Sequence, residues 1–312
     1  MRLNRGTVHS RSGTSLVELI VAIVVFGILG AIAIAQLSAS ARSLTALTDR
    51  LDSQSALWHG ADVASVELQA VSPVGGDLLL VSDSSLWYRG LVASGVLCSA
   101  PSGTSIHVLP DSLASGLRPA TGMASLQPGD LVLVFDEGPR SDASDDRWFP
   151  ATLSSVSSVT DLCTTSPYVD PVRDAGRAGY RLRMQASAIP ITVTTGAGVR
   201  VLRPSRLVLY RSAPDWFLGW ADWNSALGGW NVIQPVAGSY RPFAPSPLPS
   251  GVQMELRDSL GASLIFPASP AAVGSVGVAL RTQVFVRGIG GGPVQVQRTD
   301  SLELRVALRN RR

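Results

Sequence analysis

Glu18 is the only charged residue in 12–41, and it stands at the head of an apolar run over 19–35. A carboxylate at the edge of hydrocarbon is costly unless a cation pairs with it, so such a residue is a functional-site hypothesis by default. The run supplies no cation, and the partner must come from elsewhere. With its neighbours the run approaches the roughly 20 apolar residues that cross a bilayer. Arg2, Arg5 and Arg11 precede it, which places that end in the cytoplasm by the positive-inside rule.

Catalytic chemistry has little to work with. The chain contains no lysine, which excludes Schiff-base and Ser-Lys mechanisms. His59 falls on a predicted helix and His107 in a predicted strand, neither beside a nucleophile motif, and no Gly-x-Ser-x-Gly sequence occurs. We expect no enzyme and no cofactor. Cys98 and Cys163 lie beyond the apolar run, on the side of the membrane where disulfides persist. They form either one bridge or two isolated buried thiols; a bridge closes a loop of about 65 residues, a contribution of about 4 kcal/mol in the chain-entropy account. Zinc ligation by them lacks further ligands near by. Asp136, Glu137, Asp142, Asp145 and Asp146 gather hard oxygen donors between two β-type segments; they read as a weak calcium candidate or as a solvated hairpin tip.

Two further groups could recognise partners. Trp216, Trp220, Trp223 and Trp230 fall within fifteen residues, as a partner-binding patch or, in the favoured reading, as packing against a sheet. Arg200, Arg203, Arg206, Arg211 and Arg241 could neutralise phosphates, but a solvated strand face is the expectation and nucleic acid is an unlikely partner. The formal charge is only +3, and a pI near 9.2 without lysine reflects arginine usage.

The elements that must position these residues begin with a helix. Leu37, Leu44, Leu51 and Trp58 recur every seventh residue beyond the apolar run, with Ala41, Leu47 and Ala61 near by, which predicts an amphipathic continuation laid with that stripe against a globular domain. Ser72-Pro73 and Gly75-Gly76 end it. Unbroken, the helix would be about 85 Å long, with Gly27, Gly30 and Gln36 as points where it could loosen. Beyond residue 77, short β-type runs are punctuated by Gly, Pro, Ser and Asp. Residues 78–81 and 131–135 read as central strands; Val252, Met254 and Leu256, Tyr180, Leu182 and Met184, and Leu302, Leu304, Val306 and Leu308 alternate with polar neighbours as half-buried antiparallel strands. The Pro-rich stretch 235–249 and the turn 288–293 are loops, the former a possible divide between two lobes. The fold class is α+β, a long N-terminal transmembrane and amphipathic helix packed on antiparallel β-sheet. Its predicted parts are a leader (1–13), the helix (14–72, spanning over 19–37 and amphipathic over 38–72) and a β-rich head (77–312).

Residues Gly13, Leu16, Val17, Glu18 and Leu19, the basic leader and Phe26 together resemble the N-terminal motif of type IV prepilins and type II secretion pseudopilins. Over about 25 residues the match is specific, with Thr14 in place of the usual phenylalanine. The resemblance implies a pilin-like fold and a cut between Gly13 and Thr14, with methylation of the new terminus in question because of Thr14. It implies that Glu18, then fifth in the mature chain, pairs with the terminal amine of a neighbouring subunit. It further implies a structural assembly subunit at the tip or initiation complex of the filament, akin to the J-type pseudopilin or the W-type minor pilin. Its implied partners are a prepilin peptidase, other minor and major pilins or pseudopilins, and an inner-membrane assembly platform. The subunit would be single-pass in the inner membrane with its head outside the cytoplasm, then part of a periplasmic pseudopilus or a surface pilus. The alternative is an ordinary signal sequence cut near Ala35, giving a membrane-anchored secreted binding protein or enzyme.

Overall fold

A computed structural model describes residues 15–140, 142, 144–186, 188–286 and 295–308. The leader 1–13, the junction Gly13–Thr14 and the predicted turn 288–293 lie outside the described residues. By its contacts the chain divides into two units, 1–52 and 53–312.

Helix α1 (Leu16–Gln69) is unbroken through Gly27, Gly30 and Gln36. In the first unit its apolar side chains are exposed, Leu16, Phe26 and Ile34 among them, and one stretch is long and apolar enough to cross a membrane. The helix ends at Gln69, three residues before the predicted limit. The residue before a proline disfavours helical backbone, and here the Ser72 N–H donates to the Asp77 carboxylate at 2.8 Å while the Ser72 hydroxyl accepts from the Gly75 N–H.

Within the second unit, fourteen strands follow: β1 (Leu78–Ser82), β2 (Ser85–Val96), β3 (Ser105–Val108), β4 (Leu131–Asp136), β5 (Arg147–Thr160), β6 (Ala178–Met184), β7 (Gly198–Ser212), β8 (Asp215–Asn224), β9 (Gly229–Trp230), β10 (Gln234–Tyr240), β11 (Val252–Arg257), β12 (Ser263–Leu264), β13 (Ser275–Val286) and β14 (Gln295–Ala307). All the pairings are antiparallel, so the head is α+β as expected. The alternating segments at 180–184, 252–256 and 302–308 fall in or at the end of β6, β11 and β14. Leu131 begins an interior strand, but the run at 78–81 does not: β1 ends the sheet order and is only half-buried.

Long β7 organises the head. One of its edges pairs with β2 along its length; the other is shared by β4 near residues 199–202 and β8 near 205–212. The path β2-β7-β4-β5-β6-β3 then returns to β2, because Leu97 bridges Val108, the Cys98 N–H donates to the His107 carbonyl and the Leu109 N–H donates to that of Val96 (both 2.9 Å). These bonds close a small barrel filled by Leu97, Ile106, Val132, Leu153, Leu182 and Val201. A second core lies between the other half of the large sheet and the sheet β12-β11-β13-β14, and it takes in Leu57, Ala61, Ala64 and Leu68 of the helix. Two lobes thus exist, but their cores are separated by the barrel segments between β2 and β7 and not by the Pro-rich stretch, part of which forms β10.

The helix face turned to this core is not the predicted stripe. Leu37, Leu44, Leu51 and Trp58 are exposed, whereas Ser53, Ala56, Leu57, Gly60, Ala61, Ala64 and Leu68 are buried. Small residues win because they let the helix backbone approach closely. The Tyr240 hydroxyl donates to the Ala56 carbonyl at 2.7 Å, and a Cβ at Gly60 would overlap that hydroxyl. Tyr88, whose phenol burial and then Glu67 push far up, donates to Glu67 at 2.7 Å.

Candidate functional site

The candidate processing and assembly residues sit at the start of α1. The Ser15 N–H donates to Glu18 Oε2 and the Glu18 N–H donates to Ser15 Oγ, both at 3.2 Å. This reciprocal pair is a capping box, which satisfies donors that the first helical turn leaves orphaned. It also sets a negative charge at the positive end of the helix dipole. Ser15 was not among the predicted site residues, although its signal, Ser-x-x-Glu before an apolar run, is written in the sequence. Only Oε2 of Glu18 is engaged; among the described residues Oε1 accepts no hydrogen bond and is available to an outside donor. Gly13 and Thr14 lie outside the described residues.

Cys98 and Cys163 are joined in a disulfide with Cα atoms 5.5 Å apart, and among the described residues no cysteine is free. Cys98 follows β2 and Cys163 follows β5, so the bond ties opposite walls of the barrel at one end, over a small core with Leu109.

The acidic loop between β4 and β5 does not assemble as a cation site: among the described residues no group of three or more His, Cys, Asp or Glu side chains could hold a metal ion. Asp136 is buried and paired with Arg147 at 3.2 Å. Burial alone would raise its carboxyl, but hydrogen bonds from Thr192 and the Gly138 N–H, together with Arg147, hold it below the ordinary value. Glu137 is exposed, Asp142 accepts from the Ser144 N–H and hydroxyl, Asp145 accepts from the Arg140 N–H, and Asp146 is half-buried.

The histidines stand apart from any acid. His107 Nδ1 shares a hydrogen bond with Ser99 Oγ at 3.2 Å, and burial and then Arg181 lower its pKa. A cation thus lies where a Ser-His-Asp arrangement needs a carboxylate. His59 is exposed on α1.

The tryptophans divide between two faces. Trp216 and Trp220 pack against the helix-side core. Trp223 and Trp230 meet edge to face at 5.6 Å, and Trp87 meets Trp230 at 5.2 Å. The arginines divide likewise. Arg203 points inward, where Asp130 Oδ1 and Oδ2 accept at 2.8 Å and Asp222 at 3.0 Å, and these carboxylates raise its pKa. Arg200 and Arg206 lie on the opposite face, each 4.6 Å from an indole centroid, of Trp148 and Trp230 respectively. A shallow trough of about 290 Å³ runs over Gly277 and Ala279 of β13, but its charged walls satisfy one another, Arg257 with Glu255 and Arg281 with Glu303.

Comparison of the chain with protein-family models, with curated proteins and with solved structures finds no match.

Proposed function

We propose that this protein is a minor pseudopilin or minor pilin, made as a membrane precursor, cut between Gly13 and Thr14, and working as an assembly subunit near the tip of a secretion pseudopilus or type IV pilus. The observation that carries this reading is Glu18: the lone charge of an exposed apolar helix, already bonded through one oxygen and open at the other. A neighbouring subunit's terminal ammonium fits the open oxygen, since charge-assisted hydrogen bonds to carboxylates are the stronger kind. The bulky head, with its own barrel and disulfide, suits a terminal position better than a repeating shaft. Prepilin peptidase, sister subunits and an inner-membrane platform are the partners this reading requires.

The capping box supplies the discriminating test, because glutamine at the third helical position can replace glutamate as a cap but carries no charge. Glu18→Gln and Glu18→Ala are compared for processing, for crosslinking to sister subunits, and for secretion or piliation in a strain lacking the wild-type gene. Both variants should be cut normally and both should fail to assemble. If Glu18→Gln assembles like wild type while Glu18→Ala does not, the carboxylate is a helix cap only and the assembly role is wrong.

A further inference from the structure

Arg203 and Arg206 lie three residues apart on β7 and meet opposite fates. Arg203 is neutralised by two carboxylates. Arg206 is half-buried on the outer face between Trp87, its cross-strand partner on β2, and Trp230, over whose ring it lies. Among the described residues it makes no ion pair or hydrogen bond, and its Nε is buried without an acceptor. Burial lowers its pKa, with no neighbouring charge acting on it. A buried donor left without an acceptor is rare and calls for an explanation, and a cation removed from water without its counter-charge is costly.

The surroundings suggest where the acceptor comes from. Leu227 and Val232, in the segment that carries Trp230, are 76% and 88% exposed. Half-buried tryptophans and an arginine ringed by apolar side chains have the composition of a binding hot spot, where a few such residues carry most of the energy. The missing group is negative, and the rim is apolar. We propose that this face docks a protein segment that presents an aspartate or glutamate to Arg206 and an apolar side chain to Trp223, Trp230 and Val232. Charge complementarity supplies orientation, and the guanidinium, already held on the Trp230 ring, can accept a carboxylate side-on through two parallel N–H donors.

The test uses the full chain in detergent, labelled with 5-fluorotryptophan and read by ¹⁹F NMR, the resonances assigned by Trp→Phe variants. The probes are N-acetyl-Val-Asp-Leu amide, its Asn counterpart and sodium acetate. The Asp peptide should shift the Trp87 and Trp230 resonances saturably and at least tenfold more tightly than the Asn peptide or acetate. Arg206→Met should abolish the preference for Asp, and Arg206→Lys should retain part of it. Equal binding of Asp and Asn peptides, acetate binding as tight as the peptide, shifts confined to other tryptophans, or an Arg206→Met protein that still prefers Asp would each overturn the proposal. So would tighter binding of a thymidine decanucleotide or a neutral hexasaccharide at the same resonances.

Discussion

Replacing Gly60 by alanine pits two effects against each other. In an exposed helix the change adds about 1 kcal/mol of helix propensity. Here the new Cβ would overlap the Tyr240 hydroxyl and lie 2.9 Å from Leu280 Cδ1 and 3.3 Å from Tyr240 Cζ. Leu280 can rotate, but Tyr240 is only 4% exposed and its ring is rigid. Moving it costs about 1–3 kcal/mol in overpacking and about 1 kcal/mol for the lost hydrogen bond to Ala56. Net destabilisation is about 2 kcal/mol, or a fall of about 4–8 °C in Tm for a head of this size. Tyr240→Phe alone should cost about 1 kcal/mol, because the Ala56 carbonyl keeps its place in the helical ladder. It also removes the overlapping atom, so the double variant should be more stable than Gly60→Ala, with a coupling of about 1–2 kcal/mol. Thermal melts of the full chain in detergent, followed by near-ultraviolet circular dichroism of the head tryptophans, read all four corners of the cycle. A neutral or stabilising Gly60→Ala, or additivity between the two changes, would refute the close approach of helix and sheet.

Three further outcomes are expected. Cys98→Ser with Cys163→Ser should lower stability by about 4 kcal/mol, the chain-entropy value for this loop, and non-reducing peptide maps of the wild type should join the two; a map with both thiols free contradicts the fold of the barrel end. Arg203→Ala strands Asp130 and Asp222 without their cation and should cost about 3–5 kcal/mol in urea unfolding, whereas a loss under 1 kcal/mol would mean that the pair adds nothing. The Asp136 carboxyl, and that of Asp174 held down mainly by the Ala114 N–H, titrate below the ordinary value in the folded chain. Their stabilisation is therefore full above about pH 4 and lost as pH falls through the folded values; Tm should drop on that acid limb, and Asp136→Asn should flatten it.

What could be read from the sequence is what local pattern encodes. Alternation placed the strands around Tyr180, Met254 and Leu304, and Ser72-Pro73 marked the helix end to within a few residues. The heptad of leucines misled, because an apolar stripe signals that a face will be covered but not by what. The buried face was written in smaller letters, Ala56, Gly60, Ala61 and Ala64, whose value lies in lacking bulk and which periodicity of large residues cannot detect. Barrel closure was out of reach, since it rests on the register of Cys98 against His107 across a chain reversal that no short motif specifies. The acidic loop failed as a cation site for a similar reason: Asp136 meets Arg147 only when β4 and β5 pair.

The central claim is that the chain is a processed pilin-like subunit, and the mass of its N-terminus tests it most directly. Intact-mass and N-terminal peptide analysis after co-expression with a prepilin peptidase should find a chain beginning at Thr14, and Gly13→Val should leave the whole precursor in the membrane. A mature chain beginning at Gln36, or a full-length N-terminus unaffected by the peptidase, would contradict it.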